Sequence, residues 1–312
     1  MHPNLICSAA VRTGNIEVVK WLYFKGWFPA AYAHTLGIIA AETGNVLVLQ
    51  FLHERGLKLS WRMSNAAALN DHRHMLIWLR TKGEDWTVQR VDPSAQKSVL
   101  SCAAGTGQLP LTQWLVASGC SLEATAFYQA AAGGHIDVLE WMRDEGLHVS
   151  GATMCEHAAV AGRINVLQWA LKNIDRKLHP KTPGFAAWGG HVDVVKWAFD
   201  MGCPLSSMVT EGIATHGDLE ALKWARHHGC AWDQYTCAGA ARKGHIAVLK
   251  WAIANGCPWS STTCLHLVQN KAWDALKWAI HNGCPWHPSA YRAMELHGVP
   301  NMFSWESGDG AK

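Results

Sequence analysis

The residues of this chain that are best suited to chemistry are ten cysteines and eighteen histidines. Two thiols can form a disulfide, and thiols together with imidazoles can hold a zinc ion. The densest mixed group lies near the end of the sequence and consists of Cys264, His266, His281, Cys284 and His287. Its spacings match no zinc motif. We therefore treat a protein that is stabilised by a bound metal ion as a minor alternative. We expect no metal and no other cofactor.

Catalysis has no signal in the sequence. The histidines and carboxylates fall where helices start or where the surface is expected, and no nucleophile is paired with a base. The glycine pairs Gly133–Gly134 and Gly189–Gly190 lie at turns between segments that recur along the sequence. They therefore do not form a phosphate-binding loop between a strand and a helix. We therefore expect a protein that is not an enzyme.

The elements that position these residues follow from a repeat marked by tryptophan. Eight tryptophans follow one another at intervals of 27 or 28 residues: Trp114, Trp141, Trp169, Trp197, Trp224, Trp251, Trp278 and Trp305. The same register extends back through Trp78, Phe51 and Trp21, at intervals of 36, 27 and 30 residues. Eleven units therefore cover nearly the whole chain, which is typical of a stacked repeat array.

Most units carry two glycines, one seven residues before the tryptophan position and one five residues after it. The first set is Gly14, Gly44, Gly107, Gly134, Gly162, Gly190, Gly217, Gly244 and Gly298. The second set is Gly26, Gly56, Gly83, Gly119, Gly146, Gly202, Gly229, Gly256, Gly283 and Gly310. The segment between two such glycines has the length of a short helix, which a glycine can end because it adopts a positive φ without a Cβ clash. Apolar residues recur there at helical spacing, as in Ile246, Leu249, Trp251 and Ile253.

Further positions predict where the helices begin and what they pack against. Asn15, Asn45 and Asp218 follow the first glycine and are suited to cap the helix that starts there. A run of two alanines precedes the first glycine in most units, as in Ala186–Ala187 and Ala240–Ala241. Such small side chains let a first, shorter helix pack closely against its neighbours. Each unit is therefore expected to be a pair of helices.

At these residues the chain resembles the ankyrin repeat family. The stretch Ala240–Trp251 follows the second half of the family's signature, and Ala131–Trp141 and Ala186–Trp197 do so in register. Three features differ: the Thr-Pro-Leu-His opening is missing, a leucine of the second helix is a tryptophan, and the units are about six residues shorter. The short loop Gly256–Ser260 carries a Gly-Cys-Pro-Trp sequence that is similar to ankyrin arrays of large DNA viruses and some protists.

The resemblance implies an all-α fold in which helix-turn-helix units stack as a solenoid, with short loops and little or no strand. We expect a single array over residues 1–312, with ten full repeats and a degenerate capping repeat around residues 287–310. The family also implies a protein partner, so the predicted function is that of a non-catalytic interaction scaffold or adaptor. We expect the chain to be monomeric.

Composition and hydropathy agree with such an array and not with a membrane protein. Hydrophobic residues make up 49% of the chain and charged residues 16%, which supplies enough apolar material for a continuous core. No basic-then-apolar leader begins at Met1, and no apolar run approaches the ~18 residues that a membrane span needs. The expected location is intracellular and cytoplasmic, or the host-cell cytoplasm if the protein is viral.

The cysteines occupy repeat positions, which gives them a structural explanation. Five directly follow the second glycine: Cys120, Cys203, Cys230, Cys257 and Cys284. Four lie seven residues before the first glycine position: Cys7, Cys155, Cys237 and Cys264. Equivalent positions of adjacent repeats should lie ~8–10 Å apart, whereas a disulfide needs Cα atoms within ~7 Å. We therefore expect buried thiols in a reducing compartment and no ladder of disulfides.

The segments and residues that differ from the repeat pattern are the candidate partner-binding sites. The insertion Val88–Ala95 contributes Val88, Gln89, Arg90 and Asp92. The basic loop Ile174–Pro183 contributes Arg176, Lys177 and Lys181. Neutral drift explains the insertion equally well, and a solvated joint is the favoured interpretation of the loop. Trp188 lies in the variable pair of positions before the turn glycine, where packing does not require tryptophan, which favours a role as an interface anchor.

A lysine column is the basis of an alternative function, that of a nucleic-acid-binding array. One repeat position is occupied by Lys196, Lys223, Lys250 and Lys277, to which the basic loop would add its charge. Acidic residues stand three positions before three of these lysines and partly neutralise them: Asp193, Glu220 and Asp274. We therefore regard nucleic acid as the less favoured partner.

Three further predictions concern packing at the repeat junctions and at the start of the chain. The loop tryptophans pack beneath their loops and do not bind a partner; these are Trp232, Trp259 and Trp286. The histidines after the first glycine bond loop backbone across the junction; these are His135, His191 and His245. The apolar start Leu5–Cys7 leaves an open edge that could dock another domain or a partner.

Far-UV circular dichroism checks the fold class. We expect the spectrum of a helical protein for the full chain, because every unit is assigned to a pair of helices and the loops are too short for long strands. A spectrum dominated by strand would contradict the assignment of helix pairs.

Overall fold

The computed structural model describes residues 3–28, 30–87, 98–174 and 177–296. These residues form 21 α-helices and one short 3₁₀-helix, and no strand occurs among them. The prediction of an all-α fold is therefore confirmed for the described part of the chain. Several predicted positions lie outside the described residues, namely Val88, Gln89, Arg90 and Asp92 of the insertion, Arg176, Gly298, Trp305 and Gly310.

The chain falls into two compact units, residues 1–157 and 158–312. The first unit contains α1 (Pro3–Thr13), α2 (Ile16–Phe24), the 3₁₀-helix Ala30–Tyr32, α3 (Ala33–Glu42), α4 (Val46–Glu54), α5 (Trp61–Leu69), α6 (Arg73–Thr81), α7 (Val99–Gly105), α8 (Leu109–Ala117), α9 (Ala124–Gly133) and α10 (Ile136–Asp144). The boundary falls inside α11 (Gly151–Val160).

The second unit continues with α12 (Ile164–Asn173), α13 (Thr182–Gly189), α14 (Val192–Asp200), α15 (Ser207–His216), α16 (Leu219–His227), α17 (Gln234–Lys243), α18 (Ile246–Ala254), α19 (Ser261–Gln269), α20 (Trp273–His281) and α21 (Pro288–Leu296). All of these helices are short. None of the described helices in either unit has the length and apolar character needed to cross a membrane.

The helices follow one another as ten pairs, from α1–α2 to α19–α20, and α21 follows the last pair. In the first unit, each second helix contacts the first helix of its own pair. The first helices also contact one another in chain order, α1 with α3, α3 with α5, α5 with α7 and α7 with α9. In the second unit, α13, α15, α17, α19 and α21 contact one another in the same order. Neighbours in sequence are thus neighbours in space within each unit.

Residues with positive φ mark both turns of the repeat. Gly134 ends α9 with φ 88°, and Gly217 ends α15 with φ 80°. Two equivalent positions lack glycine, yet Asp71 and Lys271 adopt φ values of 57° and 55° there. Because this conformation is unfavourable for residues with a Cβ, the packing around these turns imposes it even where the local sequence does not favour it.

Small residues form the contact between neighbouring first helices. The alanines of the predicted run are buried, including Ala186 and Ala187 of α13 and Ala240 and Ala241 of α17. Gly212 of α15 shows how closely the helices approach, because a Cβ there would lie 2.5 Å from the carbonyl carbon of Ala187. A larger side chain at such a position would push the helices apart.

The second helices bury a narrower face than the sequence analysis predicts. In α18, Val248, Leu249 and Ala252 are buried, whereas Ile246 and Trp251 are only half-buried. The alanine after the tryptophan therefore lies in the core, and the tryptophan lies at the rim of the core. Helical periodicity identifies the apolar side of the helix but does not separate core from rim, because both carry large apolar side chains.

Polar residues after the first glycine either cap their own helix or reach the preceding pair. The Asp218 side chain accepts a hydrogen bond from the backbone N–H of Ala221 at 2.8 Å, and Asn15 caps α2 in the same manner, as predicted. Asn45 occupies the N-cap position of α4, as predicted, but its side chain makes no capping hydrogen bond. Its side-chain amide instead donates to the carbonyl oxygen of Val11 in the preceding pair at 3.0 Å.

Histidine rings lie over the turn glycines of the preceding pair. A Cβ at Gly217 would come within 2.5 Å of Nδ1 of His245. Two further histidines cover turn glycines in the same way, His135 and His191. A hydrogen bond across the junction is present at the equivalent His72, whose Nε2 lies 3.0 Å from the carbonyl oxygen of Glu42. It is not found at His135, His191 or His245, for which the sequence analysis predicts it.

Replacing a turn glycine by alanine tests this packing. Gly217→Ala should lower the free energy of unfolding by about 2–5 kcal/mol, since it adds left-handed strain and a clash with the His245 ring. Gly229→Ala is the matched control, because Gly229 has a φ of 76° and no atom within 4 Å of the added Cβ. The control should cost only about 1–2 kcal/mol. Urea unfolding followed by circular dichroism measures both, and equal losses would contradict the role of the histidine.

Candidate interaction surface

Most of the repeating tryptophans are half-buried at the rim of the core, whereas Trp169 is buried. In the second unit, the Trp251 ring lies 6.0 Å from the ring of Trp232, which belongs to the loop before it. Trp278 and Trp259 repeat this contact at 5.8 Å. Each of these loop tryptophans thus covers the tryptophan of the helix pair that follows it.

The loop tryptophans are packing residues, as predicted. Nε1 of Trp259 donates to a backbone carbonyl at 3.0 Å, and the ring of Trp286 lies 5.0 Å from the ring of Tyr291. The equivalent Trp86 of the first unit is buried, and its Nε1 donates to the Leu76 carbonyl oxygen at 2.8 Å. These contacts within the protein explain the loop tryptophans, so no binding partner is needed to explain them.

The lysine column contacts other side chains of the protein. Nζ of Lys196 lies 5.5 Å from the ring centroid of Trp224, and Lys250 makes the same contact at 5.4 Å with the tryptophan of the following pair. Lys223 forms an ion pair with Glu220 at 2.7 Å, as predicted from their spacing. Cation–π contacts and ion pairs hold these ammonium groups against the protein surface. Less positive charge is therefore available to a phosphate backbone.

Three of the eight predicted partner-binding residues lie in the described part of the chain: Lys177, Lys181 and Trp188. Both lysines are exposed, and Lys181 immediately precedes α13. Trp188 lies at the other end of the same helix and keeps 53% of its surface exposed. At about 1.5 Å per residue, seven residues separate Lys181 from Trp188 by roughly 10 Å. The structure therefore places the basic loop and Trp188 at opposite ends of α13.

The backbone of Trp188 is held by close contacts on both sides. On one side, a Cβ at Gly189 would meet the carbonyl oxygen of Val160 at the end of α11. On the other side, a Cβ at Gly212 of α15 would lie 2.7 Å from the backbone nitrogen of Trp188. The backbone is thus fixed between two helices, while half of the residue's surface stays exposed.

Residues equivalent to Trp188 form a row at the ends of the first helices in the second unit, which we call the edge row. It consists of Val160, Trp188, Thr215, Arg242 and Gln269, each two residues before a residue with positive φ. The helices α13, α15, α17 and α19, which carry the last four, contact one another in order. In the first unit, the equivalent Arg12 and Glu42 form an ion pair at 3.6 Å, so adjacent positions of this kind lie within contact distance.

The edge row varies in chemistry, whereas the positions beside it do not. Two members are apolar and exposed, Val160 and Trp188, and one is basic and exposed, Arg242. The residue that precedes each member is apolar and fully buried: Ala159, Ala187, Ala214, Ala241 and Val268. The same helices therefore combine a constant buried face with a variable exposed edge.

Arg242, the basic member of the edge row, interacts with the carboxyl of Glu211. Burial raises the pKa of the Glu211 carboxyl on α15, and the Asp233 carboxylate raises it further, while the Arg242 guanidinium lowers it. Part of the charge of Arg242 is therefore balanced within the protein.

A second exposed apolar region lies in the first unit, and we call it the N-terminal aromatic cluster. Its rings form two contacting sets, Trp21 with Trp27, and Tyr23 with Phe24, Phe28 and Phe51. The guanidinium of Arg55 lies over three of them, at 5.2 to 5.7 Å from the ring centroids. Phe24 and Trp21 keep 68% and 53% of their surfaces exposed. Leu5 on α1 is also exposed, which agrees with the predicted apolar edge.

The sequence analysis missed this cluster, although a signal was present. Phe24 occupies a position at which later repeats carry Glu54, Asp144 and Asp200. The packing of the repeat therefore does not require an aromatic side chain there. Trp21 is exposed, whereas the ring of Trp232 covers Trp251 at the equivalent position.

The cysteines and histidines near Cys264 do not converge on a metal ion. All ten cysteines of the chain are buried. Sγ of Cys264 and Sγ of Cys284 lie 2.7 Å apart, but across the described residues no three Cys, His, Asp or Glu side chains are grouped as metal ligands. The prediction that the cysteines form no ladder of disulfides compared only equivalent positions of adjacent repeats. It therefore missed the contact between a helix cysteine and a loop cysteine of the same helix pair.

Comparisons with known proteins do not identify a family. No family model matches the chain, and no curated protein matches it. The ankyrin resemblance therefore rests on the repeated residues and stays a prediction.

Alanine variants of two tryptophans distinguish the exposed edge from the core. Trp188→Ala should change the free energy of unfolding by less than about 1 kcal/mol, because the residue is largely exposed. Trp169→Ala should lower it by about 3–5 kcal/mol, because Trp169 is only 6% exposed. Urea unfolding of both variants gives the comparison. A loss at position 188 as large as that at position 169 would assign Trp188 to the core.

Proposed function

We propose that this protein is a non-catalytic interaction scaffold in which ankyrin-like helix pairs stack as a solenoid and present an exposed edge to a protein partner. The stacked helices supply rigidity. The edge row of the second unit supplies recognition.

The order of the helix contacts supports the solenoid. From α1 to α9 and from α13 to α21, consecutive first helices contact one another, and from α1–α2 to α9–α10 and from α13–α14 to α19–α20 the two helices of a pair also contact each other. Packing restricted to neighbours is typical of solenoid repeat proteins. The positive-φ turns and the buried alanine run agree with the ankyrin resemblance. The short loops, without strand in the described residues, differ from the β-hairpin fingers of that family.

The exposure of Trp188 is the observation that carries the function. A tryptophan offers a large apolar area and has few side-chain torsions to immobilise, so it binds a partner at low cost in conformational entropy. Its backbone is already fixed between α11 and α15 by close contacts at Gly189 and Gly212. The packing of α13 does not need an aromatic ring at this position, since Thr215 and Gln269 occupy it in other pairs.

The chemistry of the edge row indicates the kind of partner that fits. Val160 and Trp188 make one end apolar, Thr215 follows, and Arg242 makes the next position basic. A matching partner presents an apolar side chain or a shallow pocket opposite Trp188 and an acidic group opposite Arg242. The aromatic anchor supplies most of the affinity, and the charged position supplies orientation.

Nucleic acid is the second candidate partner, on the basis of the exposed Lys177 and Lys181 and of the lysine column. Binding to a phosphate backbone needs cations that are able to neutralise phosphates. Lys196 and Lys250 lie over tryptophan rings, and Lys223 pairs with a glutamate. We therefore favour a protein partner.

Capture of partners by the full chain tests this function. The tagged wild-type chain and the variants Trp188→Ala and Met201→Ala serve as baits at near-physiological salt. We expect a protein that is recovered repeatedly with the wild type and with Met201→Ala, and lost with Trp188→Ala. Met201 is the matched control, because it is apolar and 55% exposed but lies after α14, outside the edge row. Deletion of Val88–Ala95 tests the insertion separately.

The captured protein is then purified and titrated against each variant by calorimetry. Trp188→Ala should raise Kd by about 30-fold, which corresponds to the loss of about 2 kcal/mol at an interface anchor. Equal affinities of Trp188→Ala and Met201→Ala would contradict the role of the edge row. Recovery of nucleic acid in place of protein, with binding that falls steeply as salt rises, would replace the proposed function by the second candidate.

A further inference from the structure

Two cysteine pairs of the second unit share one geometry. Cys237 on α17 and Cys257 in the loop after α18 have Sγ atoms 3.0 Å apart. Cys264 on α19 and Cys284 in the loop after α20 have Sγ atoms 2.7 Å apart. Both pairs span 20 residues and occupy the same two repeat positions. The contact is therefore a property of the helix pair and recurs in two consecutive copies.

These distances are shorter than the van der Waals contact of two sulfur atoms. They exceed the ~2.05 Å of a disulfide bond by only about 1 Å. Neighbouring pairs lack this arrangement, because Thr210 stands opposite Cys230 and Pro183 occupies the position that would face Cys203. Two thiols meet only where both repeat positions carry cysteine.

We propose that Cys237 with Cys257, and Cys264 with Cys284, are two redox-active dithiols that close to disulfides when the protein meets a peroxide. Each disulfide would tie a first helix to the loop that follows the second helix of the same pair. A cross-link over 20 residues restricts the unfolded chain, so oxidation should stabilise the second unit.

The reaction balances with hydrogen peroxide as the only co-reactant. A thiolate of the pair attacks one peroxide oxygen, the O–O bond breaks, and the released hydroxide takes up a proton to give water. The resulting sulfenic acid is then attacked by the second thiol of the pair. The S–S bond forms as the S–O bond breaks, and the hydroxyl leaves with the thiol proton as water. Two thiols and one peroxide thus give one disulfide and two waters.

The loop cysteine of each pair is positioned to react first. Cys257 and Cys284 keep 4% and 8% of their surfaces exposed, whereas Cys237 and Cys264 are fully buried. A hydrogen bond from the Cys264 thiol lowers the pKa of the Cys284 thiol against the effect of burial. Cys230 has no thiol opposite it, and burial raises its pKa to about 11. Its thiol therefore stays protonated near neutral pH and reacts slowly.

Thiol counting by mass spectrometry tests the proposal on the full chain. The reduced protein is freed of reductant, treated with hydrogen peroxide while folded, and then unfolded in the presence of N-ethylmaleimide. The reduced chain should take up ten maleimide groups, one for each cysteine, and the oxidised chain six. Peptide mapping should place the disulfides between residues 237 and 257 and between residues 264 and 284. Dithiothreitol should restore all ten reactive thiols.

A double variant and a matched control separate the pairs from the other thiols. Cys257→Ser/Cys284→Ser should keep all eight of its thiols after peroxide treatment. Cys230→Ser removes a cysteine at the same loop position that has no thiol opposite it. This variant should fall from nine reactive thiols to five after peroxide treatment. Oxidised wild-type protein should also melt on the order of 5–10 °C above the reduced protein, and the double variant should show no such shift.

Three outcomes would overturn the proposal: ten maleimide groups after oxidation, sulfinic acids in place of disulfides, or disulfides that map to other cysteines. If the double variant does not fold, the peptide map of the wild-type protein decides the question by itself.

Discussion

The close contact between neighbouring first helices is the constraint on which the rest of the structure depends. In the second unit, the backbones of α13 and α15 approach until a Cβ at Gly212 would collide with Ala187, and a Cβ at Gly239 of α17 would lie 2.5 Å from the Thr215 hydroxyl oxygen of α15. Only alanine, glycine and other small residues permit such an approach. Because the contact is made by backbone and small side chains, the residues beyond its edge are free to differ from one pair to the next.

The same constraint explains the repeating tryptophans. A contact built from alanine buries little apolar area for each residue, so the second helices must contribute larger side chains. Leu249 and Ala252 extend the core, and Trp251 continues it to the rim, where the ring of Trp232 covers it. Trp21 of the first unit lies exposed instead. The same repeat position is therefore covered in the second unit and exposed at Trp21.

A repeat of this kind places functional groups without building a separate pocket. Trp188 takes its exposed position from the register of α13, and its backbone is fixed by the same close contacts that stack the helices. Cys264 and Cys284 meet because one helix pair folds back on itself, and the preceding pair repeats their contact. Recognition and redox chemistry, as proposed, would therefore depend on which residues occupy a few repeat positions.

The sequence by itself determined the helix pairs, the turns that carry glycine and the exposed position of Trp188. These features are local: a positive φ favours glycine, helical period sets the buried side, and Trp188 directly follows the last alanine of the buried run. The tertiary structure alone decided that Asn45 bonds Val11 of the preceding pair, that most of the repeating tryptophans lie at the rim, and that Cys264 meets Cys284. Each of these depends on distances across two packed helices, which spacing along the chain does not specify.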